Sequence, residues 1–107
     1  MIKTFTAEEL LTHFRRYEHI RVWGSSDRNS VIFIFMNTSD LEFRKQKYQN
    51  VINGNVWQNG FLTAAFSIAG NNFHCTIDDS EGWKETLLIS TDRTDGPIRV
   101  ELSNLIG

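Results

Sequence analysis

Ala7, Leu10, Leu11, Phe14 and Tyr17 recur at the three- and four-residue spacing of one helical face. The pattern predicts an amphipathic helix over about residues 6–18. Its start carries two further marks. Thr6 followed by Glu9 has the spacing of a capping box, in which each side chain bonds the other's backbone amide. Phe5 and Leu10 have the spacing of a hydrophobic staple. Glu8 and Glu9 fall in the first turn and Arg15 and Arg16 near the last, which suits the helix dipole.

After the helix the period shortens towards two. Ile20–Trp23 is a short β-rich run. Residues 24–30 form a turn cluster, so the flanking runs should pair as a hairpin. Val31–Met36 is apolar on both faces, which predicts a central strand covered on both sides. Residues 38–52 are ambiguous. Ser39 and Glu42 have capping-box spacing, whereas Leu41 and Phe43 alternate as in a strand, and we favour a strand reaching into solvent. Asn53-Gly54-Asn55 and Asn59-Gly60 read as turns, because Asn and Gly accept positive φ cheaply.

Phe61–Ala69 reads as a strand with Leu62, Ala64, Phe66 and Ile68 on one face. Gly70-Asn71-Asn72 turns the chain back. Phe73, Cys75 and Ile77 alternate with polar residues, as do Ile98, Val100 and Leu102. Trp83–Thr91 lies between them, bounded by polar loops at 78–82 and 92–97. The expected fold is a single α+β domain over residues 1–107, with an N-terminal amphipathic helix packed on a mostly antiparallel, meander-like β-sheet.

Composition agrees with that picture. With 107 residues, 40% of them apolar and 22% charged, the chain can fill one core and lacks the signature of disorder. Cys75 is the only cysteine, so no disulfide within the chain and no paired-cysteine metal or redox motif is available. The longest apolar run is Val31–Met36, far short of the roughly 20 residues of a membrane span. No secretory signal pattern opens the chain. A cytoplasmic protein is expected, with no membrane and no cofactor. The net charge of −2 is uneven, since residues 1–53 sum to +2 and residues 54–107 to −4. Such polarity can steer a charged partner.

Motifs for catalysis are absent from the linear sequence. His13 shares i,i+4 spacing with Tyr17, but no second metal ligand stands on that helix, so a solvated residue is expected. His19 falls at the expected helix end, where a cation suits the dipole. His74 and Cys75 are adjacent, but strand neighbours point to opposite faces and cannot work as base and nucleophile. Numbered as a calcium loop from Asp78, the 78–89 segment has Trp83 where glycine is required and Ile89 where glutamate is required.

Two surface sets remain. Asp78, Asp79, Glu81, Asp92 and Asp95, with Trp83 or Trp57 as aromatic anchor, would suit a basic protein partner. Phe43, Arg44, Lys45, Lys47 and Tyr48 interleave bases and aromatics in a way that can hold single-stranded nucleic acid, although the chain is mildly acidic overall. No family is marked by specific residues. In size, acidity and lack of motifs the chain resembles small bacterial or phage accessory proteins. The expected function is a non-catalytic inhibitor, most concretely an immunity protein for a basic nuclease toxin. The alternatives are a single-stranded nucleic-acid-binding module, a phage-encoded inhibitor of a host defence protein, or an enzyme whose site, involving His74, leaves no motif. Open sheet edges also allow a homodimer.

Overall fold

The computed structural model describes residues 1–25, 31–94 and 96–104. The first element is a short strand that hydrophobic periodicity had not shown, β1 (Ile2–Phe5). It is followed by helix α1 (Ala7–Phe14). The expected capping box is formed: the Glu9 amide donates to Thr6 Oγ1 at 3.2 Å, and the Thr6 amide to Glu9 Oε1 at 2.9 Å. The latter bond holds the Glu9 carboxyl below its usual range. Ala7, Leu10, Leu11 and Phe14 are buried, as the stripe requires.

The helix stops four residues early. Beyond Phe14 the amides of Arg16 and Tyr17 bond only three residues back, which tightens the turn. Thr38 then takes the Tyr17 carbonyl through its hydroxyl and the Glu18 carbonyl through its amide. Those two acceptors are drawn out of the helical pattern into a long-range contact.

The remaining strands are β2 (His19–Ser25), β3 (Val31–Asn37), β4 (Leu41–Lys45), β5 (Asn50–Gln58), β6 (Phe61–Gly70), β7 (Phe73–Asp78), β8 (Lys84–Ser90) and β9 (Ile98–Ser103). A 3-10 turn over Thr38–Asp40 precedes β4, so residues 38–52 are strand with one tight turn rather than a second helix. Strands β1-β7-β8-β9-β2-β3 form one antiparallel sheet and β4-β5-β6 a second. The broad class is α+β with antiparallel meanders, but the expected single sheet is two.

Both sheets and the helix share one core. Phe73, Cys75 and Ile77 alternate inward with polar residues outward along β7. They meet Leu87, Ile89, Val100, Leu102, Ile20 and Met36 from neighbouring strands. Leu41, Ile52 and Ile68 close the core from the three-stranded sheet, and α1 supplies Leu10 and Phe14. Arg15 ties the helix to β4 through a 2.9 Å bond to the Leu41 carbonyl.

Three expectations are corrected. Val31–Met36 belongs to β3 at the edge of the six-stranded sheet, not at its centre. Its pairing with β2 is the hairpin expected, while residues 26–30 of the connecting cluster lie outside the described residues. Asn53-Gly54-Asn55 is not a turn but the middle of β5. A Cβ at Gly54 would overlap the Phe66 ring and approach Met36 Sδ to 2.6 Å, so glycine is needed there for close packing. Finally, Gly70-Asn71-Asn72 does not close a hairpin. The chain passes there from one sheet to the other.

Candidate functional site

The Asn59-Gly60 turn is where the sequence places it. Both residues have positive φ, 51° and 82°, as a two-residue hairpin connection favours. A bulge follows. Val56 pairs with Ala64 but Trp57 pairs with Leu62, leaving Thr63 as the extra residue. The Thr63 hydroxyl donates to the Val56 carbonyl at 2.9 Å. The shift moves Leu62 off the face it would share with Ala64 and sets it opposite Trp57. Trp57, Phe61 and Leu62 are 61%, 75% and 51% exposed. One hairpin end therefore carries three large apolar side chains into solvent.

Beside this hairpin lies a cleft of about 620 Å³ between the end of β3, the 3-10 turn, the start of β4 and the end of β5. Phe35, Val56 and Trp57 supply apolar wall, and Asp40 and Glu42 supply charge. Glu42 stands 3.6 Å from Arg44 across the exposed surface of β4. The Phe35 ring already carries His19, stacked at 5.3 Å, and the Arg21 guanidinium at 5.3 Å. Arg21 in turn reaches Glu101 at 3.6 Å.

The residues singled out from sequence are dispersed. Asp78, Asp79, Glu81 and Trp83 cluster at the β7–β8 connection. Asp92 stands at the other end of β8, seven residues and roughly 20 Å away. It accepts from the Asn71 amide at 3.2 Å and lies 3.8 Å from Arg93. Asp95 lies outside the described residues. The two acidic loops therefore do not form one patch. The first is also partly neutralised, because Lys84 Nζ lies 3.5 Å from Glu81 and 5.0 Å over the Trp83 ring. Asp78 accepts from the Ser80 amide, which lowers its pKa. Trp57 belongs to the other sheet, beside different carboxylates.

The basic set is divided as well. Phe43 pairs in register with Ile52 and packs against the core. Arg44 points to the opposite face, and Lys47 covers Tyr48 at 5.2 Å. These five residues do not make one stacking platform.

The histidines depart from expectation. His13 is not solvated. Its Nε2 hydrogen-bonds the Glu85 carboxylate, whose other oxygen accepts from Tyr17 Oη at 3.0 Å. The Glu85 side chain is 6% exposed and the His13 side chain 12%. The carboxylate thus joins helix to sheet inside the core. Burial, then the Glu85 hydrogen bond, raises the Tyr17 pKa. His19 is not at a helix end but opens β2, with Nδ1 3.1 Å from Asn37 Oδ1. His74 and Cys75 do point to opposite faces: His74 is exposed and 3.0 Å from Thr4 Oγ1, while Cys75 is fully buried. Burial foremost, then the Glu85 charge, pushes the Cys75 thiol up to about 12, so it carries no thiolate at neutral pH.

The buried Glu85 had a legible signal, since it is in phase with Leu87 and Ile89 along β8. Asp40 and Glu42 flank the buried Leu41 and were legible only as strand neighbours. Among the described residues, no group of three His, Cys, Asp or Glu is placed to hold a metal ion, and no helix is long and apolar enough to cross a membrane. Comparison with protein-family models, curated proteins and solved structures finds no match.

Proposed function

We propose that the chain is a non-catalytic protein-binding inhibitor whose contact surface is the β5–β6 hairpin end and the adjoining cleft. The observation that carries this reading is the exposed pair Trp57 and Leu62 on one face of the hairpin end, with Trp57 beside carboxylates at Asp40 and Glu42 and Phe61 exposed on the other face. Large apolar side chains gathered on a surface mark interaction sites, and buried aromatics dominate binding energy once a partner covers them. The acidic rim selects a basic partner and speeds its approach. A nuclease is such a partner, because its own site must hold phosphates. The concrete form of the proposal is an immunity protein that neutralises a nuclease toxin. The 78–83 loop contributes negative charge at a distance rather than the contact itself.

The test is inhibition of a candidate basic nuclease toxin from the same source, with Trp57→Ala/Leu62→Ala compared against the parent chain. Stoichiometric inhibition by the parent, weakened about thirtyfold or more in the variant, is expected. Absence of inhibition overturns the toxin-neutralising reading. Full inhibition by the variant overturns the surface. Sedimentation of the chain alone adds the remaining case. Self-association abolished by the same substitutions would make this a homodimer surface and displace the inhibitor reading.

A further inference from the structure

The three tryptophans are not alike. Trp23 carries the Arg99 guanidinium at 4.7 Å and Trp83 the Lys84 ammonium at 5.0 Å. Trp57 carries no cation from the described residues, although it is the most exposed of the three. It is also the one that shares a cleft with two carboxylates. Among the described residues, the side chains lining that cleft include Asp40, Glu42, Asn37 and Asn55 but no lysine, arginine or histidine. The Asp40 carboxylate has no ion pair or hydrogen bond among the described residues, and its neighbour Glu42 is held only by the exposed Arg44 at 3.6 Å. Elsewhere on this surface the chain supplies its own cation to its indole rings. Here the ring, the charge and the space are present, and among the described residues the cleft lining adds no cation of its own.

Resting on the protein-binding reading above, we propose that this cleft receives an arginine side chain of the partner. A guanidinium is planar and weakly hydrated, so it stacks on an indole face while its edge donates two parallel bonds to a carboxylate. An ammonium offers only a compact, strongly hydrated charge. Phe35 is already covered by His19 and Arg21, which leaves Trp57 as the stacking wall and Asp40 with Glu42 as the acceptors.

The probe is N-acetyl-arginine amide, titrated into the full chain while the three indole N–H resonances are followed by NMR, with N-acetyl-lysine amide as control. A saturable shift confined to Trp57, weaker with lysine and lost in Asp40→Asn/Glu42→Gln, is the expected result. Equal shifts at all three indoles, equal response to lysine, or a shift surviving in the amide variant overturns it. Should the double variant unfold, Asp40→Asn alone gives the same comparison. In the inhibition assay, Asp40→Asn/Glu42→Gln is expected to weaken inhibition about tenfold. Full inhibition by that variant, with Trp57→Ala/Leu62→Ala inactive, sinks the arginine pocket and leaves the protein-binding surface standing.

Discussion

Glu85 is the residue whose loss should be felt most. It sits on the core face of β8, in register with Leu102, and receives both His13 and Tyr17 from the helical segment. Glu85→Ala leaves an imidazole and a phenol aimed at a void. Removing one member of a buried, hydrogen-bonded charge site costs about 3–5 kcal/mol, and Tyr17→Phe, which removes one bond to a charged acceptor, about 1.5–3 kcal/mol. With a urea dependence of about 1.5 kcal/mol/M, the larger loss lowers the unfolding midpoint by about 2–3 M. The decisive assay is a double-mutant cycle by urea unfolding: His13→Ala, Glu85→Ala and both together. Partners in direct contact should couple by about 1–3 kcal/mol, so the double variant is less destabilised than the two losses added. If Glu85→Ala costs under about 1 kcal/mol, or the two losses add within about 0.5 kcal/mol, the carboxylate does not join helix to sheet.

Two further outcomes are expected. The Cys75 thiol titrates near 9.0 when free and about 12 in the fold. The folded state therefore holds its proton more tightly, and the stability this gives is complete below pH 9 and lost as pH rises towards 12. Urea unfolding across that range should show a fall that Cys75→Ala flattens, and the native thiol should resist Ellman's reagent at pH 8 until the chain unfolds; rapid labelling of folded protein contradicts its burial. Gly54→Ala forces a methyl group against Phe66 and Met36, and overpacking of this kind costs about 1–3 kcal/mol. An unchanged Tm would show that the two strands are not in such close contact.

Local chemistry was legible from the sequence, and lateral arrangement was not. The capping residues Thr6 and Glu9, the β7 alternation and the Asn59-Gly60 turn each depend on near neighbours, and each is where the pattern puts it. Val31–Met36 went astray because apolarity reports what covers the faces of a strand, not what lies beside it. Phe35 faces outward on an edge strand, yet His19 and Arg21 lie against it. Asn53-Gly54-Asn55 has the composition of a turn, but its glycine answers to a side chain on another strand. The candidate site failed in the same way. Acidic residues close in sequence were grouped together, whereas β8 separates Asp78 from Asp92 and the β4–β5 pairing brings Asp40 and Glu42 to Trp57. The Thr63 bulge, which turns Leu62 to the Trp57 side, leaves no mark in a period-two pattern.

The order of strands in the larger sheet also bears on how the molecule is made. Ile20 of β2 pairs with Leu102 of β9, about 80 residues later, and β1 waits for β7. At a synthesis rate of roughly 5–20 residues per second, the β2–β3 hairpin leaves the ribosome several seconds before the strand that completes its other side. During that interval the backbone edge of β2 is open. Completion of this sheet is accordingly late and slow, as non-local pairings require. A nascent chain halted before Ile98 would present that edge to any strand in reach, including its counterpart on a neighbouring ribosome.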